Sequence, residues 1–313
     1  MPVDAAEVSD DETEVRCAVV GAEAHGQRAD RFLVTLAPEF SRSHLQSLIQ
    51  RGHAQIDDRV LDQPSRQVRI GQRLRLELVP TDESLAFTAQ PMALDILYED
   101  AHILVIDKPA GLVVHPAPGN WSGTLLNGLL AHHEPAHALP RAGIVHRLDK
   151  DTSGVMVVGK TLASVTALSK AIAAREVRRH YLALAHGNFE PAERSLEAPI
   201  GRDPASRVRM AVVASGRPAR TDVRRLHSRD GYSALRCTLH TGRTHQIRVH
   251  LAWCGHPLLA DPTYGGAAAL GMQRQALHAT RLSFVHPFSG AAIAFDRPAP
   301  PDFAAAWQFV AAR

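Results

Sequence analysis

Residues 143–161 read GIVHRLDKDTSGVMVVGKT, and this stretch carries the strongest local signal for both fold and chemistry. A strand-like segment, 143–145, precedes a polar cluster, and the β-branched segment Val155–Val158 follows it. The polar cluster His146–Gly154 is therefore predicted to lie in a loop between two strands. Because catalytic groups concentrate on loops held by rigid strands, this loop is the first candidate site.

Two interpretations of this loop do not require catalysis. Asp149, Asp151, Ser153 and Gly154 match positions 1, 3, 5 and 6 of an EF-hand calcium loop, but Lys160 stands where position 12 needs Glu. The pattern therefore disfavours calcium. Alternatively Asp149 only caps a turn, and the spacing alone favours neither this role nor a catalytic one.

Outside this loop, short strand-like segments outnumber helical ones. The strand-like segments are 95–98, 103–106, 181–185, 207–213 and 233–239, and helices are predicted over 162–174 and from about residue 244. Strands and helices do not alternate regularly. We therefore predict a mixed α+β fold with a mainly antiparallel sheet.

The chain divides into four predicted segments. Residues 1–16 hold six acidic residues and one Arg, which is typical of a disordered acidic leader. Residues 17–80 form a small α+β domain, and the polar, Pro-marked residues 81–92 form a linker. Residues 93–313 form the larger α+β domain that contains the candidate loop.

The small domain is predicted from helical and strand periodicity. Helices are predicted over 29–36 and 43–50. Ser41 is the expected N-cap of the second helix, and Gly52 its end. Strands are predicted over 54–56 and 74–78, with a turn at Gly71 between them.

Composition and charge exclude several protein classes. Of 313 residues, 45% are hydrophobic, and none of the three cysteines has a neighbour at CxxC spacing, so a disulfide framework or a Cys-built zinc site is not expected. No apolar run approaches the ~18–20 residues of a membrane helix, and the acidic first sixteen residues, which contain no apolar run, are not expected to act as a secretory signal. A cytoplasmic protein is expected.

The charge distribution favours a polyanionic partner. Residues 17–313 carry 34 Lys+Arg against 26 Asp+Glu, a net charge of +8, and 31 of the chain's 35 basic residues are Arg. Arginine suits phosphate and stacks on bases, although an Arg-rich proteome explains the overall ratio equally well. Clustering is more informative, because residues 202–225 hold seven Arg and two acidic residues.

A second candidate segment is TGRTHQIRVH, residues 241–250. A Gly before a helix start offers backbone N–H groups to an anion. His245 and His250 suggest zinc, but five residues on a helix leave them ~140° apart, whereas zinc helices use an i,i+4 step. The alternative is an ordinary surface helix. We expect Arg248 on the same helix face as Thr244.

A third candidate segment is REVRRHY, residues 175–181. Basic residues beside an aromatic suit a surface that follows a nucleic-acid backbone and stacks one base. A solvated turn followed by a core tyrosine is the other interpretation. Signals for other enzyme classes are missing from the sequence: there is no Walker loop, GxGxxG helix, nucleophile elbow or glycosidase carboxylate pair.

Taken together, these segments resemble the RluA-type RNA pseudouridine synthases. The resemblance covers about residues 17–300 and rests on the motifs 143–161, 175–181 (RxxRRHY), 241–252 (TGRTHQIRVHLA) and 256–266 (HPLLADPTYGG). Residues 17–80 resemble an S4 RNA-binding domain. With DILYEDAHILVIDKPAGLVVHPAPGN at 95–120, the chain most resembles the subgroup, synthase D, that acts on large-subunit ribosomal RNA.

The resemblance implies a role for each of several residues. Asp149 is the expected catalytic aspartate, and Arg248 the arginine paired with it. Tyr181 is expected to pack on the target uracil, and Arg147 to take the place of the flipped nucleotide in the RNA stack. Further RNA contacts are implied in two places: the S4-like domain contributes Arg31, Arg42 and Arg51, and the larger domain contributes Arg179 and Arg243.

The resemblance also implies the reaction. The N1–C1′ bond of specific uridines in large-subunit (23S) ribosomal RNA breaks, and the uracil rejoins through C5, without a metal or organic cofactor. The expected partner is ribosomal RNA or a precursor of the large subunit, with no membrane, and the protein is expected to be a monomer. Two positions depart from the family pattern: Arg179 replaces a frequent Lys, and AQIDD at 54–58 replaces a Val-x-Val-Asn-Gly hairpin.

Elementary chemistry is compatible with these roles. A carboxylate can act as a nucleophile or move a proton, and a nearby arginine favours its ionised form. The residues leave open whether the aspartate attacks C1′, attacks C6 or drives elimination to a glycal. Extracting a stacked uridine costs a few kcal/mol, which Arg147 and Tyr181 would offset. The competing hypothesis is an RNA-binding protein without chemistry, which loss of Asp149, Tyr181 or Arg248 would favour; all three are present.

Overall fold

The chain divides into two compact units, Met1–Leu85 and Ala86–Arg313. The computed structural model describes residues 14–79, 82–206 and 209–312. The division falls inside the predicted linker, 81–92. The predicted leader, 1–16, overlaps the first strand at residues 14–16, and residues 1–13 lie outside the described residues.

The first unit is a small α+β structure. Its elements are β1 (Glu14–Val19), α1 (Ala29–Leu36), α2 (Arg42–Gln50), β2 (Ala54–Ile56), β3 (Arg59–Val60) and β4 (Arg73–Leu78), and the strands form an antiparallel sheet in the order β1-β4-β2-β3. Leu33 of α1 and Leu48 of α2 pack into the core that covers this sheet. Ser41 caps α2 as predicted, because its hydroxyl accepts the His44 N–H.

The second unit is built on one nine-stranded sheet and a two-stranded ribbon. Its elements are β5 (Asp95–Glu99), β6 (Ile103–Lys108), α3 (Leu125–His132), β7 (Ser153–Gly159), α4 (Leu162–Ala173), β8 (Arg178–His186), β9 (Glu193–Glu197), β10 (Ile200–Arg202), β11 (Met210–Val212), β12 (Arg220–Arg229), β13 (Tyr232–Leu239), α5 (Gln246–Trp253), β14 (Leu277–Val285), β15 (Ala292–Asp296) and α6 (Pro301–Ala311).

The large sheet has the order β5-β6-β7-β14-β8-β13-β12-β9, with β15 paired to β14, and β10 and β11 form the ribbon. Among the described residues, β7 and β14 are the parallel neighbours, and the other pairings are antiparallel. The α+β class with a mainly antiparallel sheet is therefore confirmed. No helix of the described residues is long and apolar enough to cross a bilayer.

The central strand β7 explains why the candidate loop is held firmly. Every residue of SGVMVVG in β7 is buried. Met156 and Val158 pack into the core that α3 and α5 cover, whereas Val155 and Val157 pack into the opposite core with α4. Because alternate side chains of a strand point to opposite faces, this β-branched run fits a sheet covered on both sides.

Two local predictions differ from the structure. Residues 143–145 do not form a strand: a 3-10 turn, Pro140–Gly143, ends there, and Ile144 makes a single β-bridge to Val158. The helix expected from Thr244 begins at Gln246, because His245 adopts a left-handed conformation with φ 56°. Thr244 therefore does not share a helix face with Arg248.

Candidate active site

The loop between Ile144 and β7 is anchored by a buried lysine. Lys108 is 0% exposed, and its ammonium donates to the carbonyls of Pro109, Leu112 and Lys150 at 2.8–2.9 Å. Burial lowers the pKa of Lys108 to about 8. Three carbonyl acceptors satisfy the three donors of an ammonium, so the end of β6 is tied to the residue that follows Asp149.

The other end of the loop depends on a glycine. Gly154 has φ 115°, and a Cβ there would lie 2.2 Å from the Ala279 carbonyl oxygen of β14. The left-handed conformation and this close backbone approach both require glycine. Arg274 supports the same turn, since its Nη1 donates to the Asp151 carbonyl at 2.8 Å.

Asp149 lies beside a buried arginine held by a second carboxylate. Nη1 of Arg248 donates to Oδ2 of Asp149 at 3.1 Å, and Nε and Nη2 donate to the two carboxylate oxygens of Asp261 at 2.7 and 2.8 Å. The side chains of Asp149, Arg248 and Asp261 are 14%, 6% and 0% exposed. Burial opposes the charge, but the Asp261 hydrogen bonds and both carboxylate charges raise the pKa of Arg248 overall.

A histidine and a tyrosine complete the surroundings of Asp149. Nε2 of His245 lies 3.9 Å from Oδ1 of Asp149, while its Nδ1 is 2.9 Å from the Tyr264 hydroxyl. Burial lowers the pKa of His245 despite the charge of Asp149, which favours a neutral imidazole. The Tyr264 ring also faces the Arg248 guanidinium carbon, 5.1 Å from the ring centroid.

Tyr181 is both a core residue and a wall of the site. It is 4% exposed, belongs to the core below α3 and α5, and lines the cavities that reach Asp149. Burial raises its pKa to about 12, so the phenol stays protonated at physiological pH. The two interpretations of this residue, core tyrosine and base-packing aromatic, are compatible.

A cavity of about 780 Å³ opens beside Asp149 and Tyr181. Its remaining wall includes aromatic rings and arginines, among them His115, Trp121, Arg141, Arg147, Arg175, Arg179 and Arg243. Asp149 is the acidic residue of this lining, and it already accepts from Arg248. The cavity is therefore positively charged and large enough for more than one uracil-sized group.

The predicted contact residues of the second unit occupy different parts of this cavity. Arg147 is exposed at its rim, whereas Arg179 is 5% exposed. Arg243 is half-buried, and its backbone N–H is held by the Gln246 side chain at 3.0 Å. Along β8 the exposure alternates, so Arg178 points to solvent while Arg179 lines the cavity.

His146 carries its ring proton on a known nitrogen. Its Nε2 accepts the Val157 N–H at 3.1 Å, so a neutral ring is protonated at Nδ1. Burial and the nearby Arg179 charge lower the pKa of His146 to about 3, which keeps the ring neutral.

Acid is expected to destabilise the protein through His146. The unfolded chain binds this proton near pH 6.5 and the folded chain near pH 3, so stability is lost as the pH falls through this window. Between pH 7.5 and 5.5 the loss amounts to roughly 1 kcal/mol. The measurement is urea unfolding of wild type and His146→Gln at both pH values; glutamine keeps an acceptor for the Val157 N–H. The difference in unfolding free energy between the two proteins should change by the same amount between pH 7.5 and 5.5. An unchanged difference would contradict the assignment.

The predicted contact residues of the first unit are placed separately. Arg31 is exposed on α1, and Arg51 is exposed directly after α2. Arg42 donates to the fully buried Asp30 at 3.0 Å, alongside Arg28, and its side chain remains 50% exposed. The Arg28 hydrogen bond, with those of Gln46 and Arg42, keeps the pKa of Asp30 below its usual range.

The residues considered for metals have other partners. Ser153 of the calcium-like pattern lies 3.0 Å from His278 Nδ1, and Asp149 faces Arg248. His250 is buried between the Thr221 hydroxyl and the Ala198 carbonyl, so its ring nitrogens are engaged away from His245. No group of three or more His, Cys, Asp or Glu side chains suited to a metal occurs within the described ranges.

Sequence reasoning about individual positions missed three residues of the site. Asp261 and Tyr264 lie in the motif ADPTYGG, which supports the resemblance but assigns neither residue a role. Lys108 is predicted only as part of a turn. The pairing of Asp261 with Arg248 is visible only in the three-dimensional structure, because the two residues are separated by 13 positions and a turn.

Comparisons with known proteins point to one family. The family model described as RNA pseudouridylate synthase matches residues 102–253, which include Asp149, Tyr181 and Arg248. Among solved structures, Human RNA Pseudouridylate Synthase Domain Containing 1 superposes with a TM-score of 0.54 and 27% identity, covering 69% of this chain and 90% of that one.

Curated relatives match over nearly the whole chain. A protein of Neisseria meningitidis serogroup B named Ribosomal large subunit pseudouridine synthase D is 48% identical, over 93% of this chain and 81% of the relative. Proteins of the same name from Nitrosomonas europaea and Haemophilus influenzae are 46% and 42% identical, over 91% of this chain and 85% and 92% of the relatives. With this identity and coverage, the chain belongs to the RNA pseudouridylate synthase family.

Proposed function

We propose that this RNA pseudouridine synthase isomerises specific uridines to pseudouridine in the 23S RNA of the large ribosomal subunit. The observation that carries the proposal is the Asp149 carboxylate, held by Arg248 at 3.1 Å on the wall of an arginine-rich cavity beside Tyr181. The relatives named for large-subunit pseudouridine synthesis support this choice of RNA.

Each residue receives a role in this proposal. Asp149 is the nucleophile or base that allows the N1–C1′ bond to break. The uracil turns, a C5–C1′ bond forms, the C5 proton leaves and N1 gains a proton, so the product is an isomer. Tyr181 packs on the uracil as a neutral phenol, and Arg147, exposed at the rim, occupies the gap left in the RNA stack.

Arg248 acts through Asp149 as a positioning residue. Its guanidinium is fixed by two hydrogen bonds to Asp261, which leaves Nη1 aimed at Asp149. The guanidinium group is planar, so binding of one carboxylate through Nε and Nη2 also fixes the direction in which Nη1 points. The carboxylate of Asp149 therefore has one preferred orientation before RNA binds.

The test uses large-subunit ribosomal RNA from a strain that lacks the gene. The RNA is treated with purified protein, and pseudouridines are located by carbodiimide modification and primer extension. New stops at defined uridines are the expected result. Tight binding of this RNA without any new stop would favour the RNA-binding protein without chemistry.

The first unit is proposed to be an S4-like RNA-binding domain. Two helices on a small sheet, with Arg31 and Arg51 exposed, support this assignment. The proposal includes a monomeric, cytoplasmic protein whose partner is the ribosomal RNA or a precursor of the large subunit, acting without a metal or organic cofactor.

Replacement of Arg31 is expected to reduce the salt dependence of RNA binding. Loss of one phosphate contact releases one fewer counterion, so the slope of log K against log salt for Arg31→Gln should fall by about 0.7–0.9. Fluorescence anisotropy across a salt series measures the slope, and Arg69→Gln, another exposed arginine of this unit, is the control. Equal slopes for wild type and Arg31→Gln would argue against this contact.

A further inference from the structure

Arg179 is a buried cation whose Nε–H has no acceptor. It is 5% exposed, and among the described residues no hydrogen-bond partner reaches Nε. Buried polar groups are normally paired, and a buried charge without a partner carries a large desolvation cost. An arginine of this kind on the wall of a cavity indicates an acceptor that arrives with a ligand.

His146 offers a second donor of the same kind on the same wall. Its Nε2 accepts from Val157, which places the proton on Nδ1, and Nδ1 is also buried without a partner in the described chain. Both residues line the cavity of about 780 Å³ beside Asp149. The charge of Arg179 also lowers the pKa of His146, which is consistent with their proximity.

The missing acceptor is expected to be anionic. Arg141, Arg147, Arg175 and Arg243 line the cavity together with Arg179, and the one acidic side chain among its described lining residues, Asp149, already accepts from Arg248. A neutral carbonyl would satisfy the two N–H groups but would leave the charge of the buried guanidinium uncompensated. A phosphate satisfies both requirements, because its oxygens accept charge-assisted hydrogen bonds from arginine.

We propose that Arg179 Nε–H and His146 Nδ1–H form a subsite for one phosphodiester group of the RNA strand, next to the target uridine. The proposal rests on the proposed function, since the strand must enter the cavity that contains Asp149. The subsite fixes the backbone beside the flipped nucleotide. It is specific for a single linkage.

The subsite predicts opposite effects on RNA affinity and on stability. Arg179→Gln should weaken binding of a large-subunit stem-loop by about 10- to 100-fold, the range for a lost charge-assisted hydrogen bond. Its melting temperature should equal or exceed that of wild type, because the substitution removes an unpaired buried charge. Arg178→Gln, its exposed neighbour on β8 with the same loss of charge, is the matched control and should bind nearly as wild type.

The decisive experiment replaces single phosphates of the RNA. Methylphosphonate is introduced at one linkage at a time around the target uridine, and binding is measured with and without Arg179→Gln, both proteins carrying Asp149→Asn to prevent turnover. At one linkage, methylphosphonate should weaken RNA binding by about 10-fold or more when the protein keeps Arg179. At the same linkage, it should leave RNA binding by the Arg179→Gln protein unchanged. His146→Phe, which removes the Nδ1–H donor, should lose sensitivity at that same linkage.

Two results would overturn the subsite. One is additive losses at every linkage, which would mean that Arg179 contacts no particular phosphate. The other is a lower melting temperature of Arg179→Gln with unchanged RNA affinity, which would make the residue structural. Pseudouridine formation by wild type on the same RNA is scored separately, so failure of the proposed function is distinguished from failure of the subsite.

Discussion

Asp149→Asn is expected to abolish pseudouridine formation while leaving RNA binding nearly intact. The amide keeps the shape of the side chain and an oxygen that can accept from Arg248, but it is neither a nucleophile nor a base. The rate constant of pseudouridine formation, measured under single-turnover conditions, should fall by at least about 10³-fold, as in other enzymes that lose their nucleophile. The dissociation constant for the stem-loop should change by less than about threefold, since no phosphate contact is removed.

A neighbouring aspartate provides the control for this substitution. Asp151→Asn makes the same chemical change two residues away on the same loop, and Asp151 does not line the cavity at Asp149. It should retain most of the activity. Turnover by Asp149→Asn within tenfold of wild type would remove the aspartate from the chemistry and would favour the alternative that it only caps a turn.

The sequence was sufficient for the parts of the fold that depend on local periodicity. Helix α1 was predicted with its observed bounds, Ala29–Leu36, and the apolar run Val155–Val158 lies inside β7. The segments 125–132 and 301–311 were not predicted as helices. Both are rich in apolar residues, Leu and Ala, without a clear polar face, and periodicity does not distinguish such a run from a buried strand.

The site was predictable where a motif names a residue and not where the residue depends on a distant contact. Asp149 and Arg248 lie 99 residues apart in sequence, and only the resemblance placed them together before the structure did so directly at 3.1 Å. The partnerless donors of Arg179 and His146 are properties of burial in three dimensions. No spacing in the sequence distinguishes a buried unpaired arginine on a strand from the exposed arginine beside it.

Arg248→Met is expected to give the largest loss of stability among single substitutions at the site. It would leave Asp261 fully buried without its two hydrogen bonds, and Asp149 without its cation. Removal of one partner from a buried ion pair costs about 3–5 kcal/mol, because the remaining charge is uncompensated. At ~2–4 °C per kcal/mol for a unit of this size, the melting temperature should fall by roughly 6–20 °C. Turnover should be lost as well.

A second substitution separates the two effects of Arg248. Asp261→Asn in the Arg248→Met background removes the orphaned buried carboxylate, so the double variant should be more stable than Arg248→Met, with a coupling energy of about 0.5–3 kcal/mol. Activity should stay lost, because nothing then orients Asp149. Urea unfolding and single-turnover assays of the four proteins in this cycle measure both quantities. Recovery of turnover together with stability would show that Arg248 supports only the fold, whereas recovered stability without turnover assigns it the orientation of Asp149.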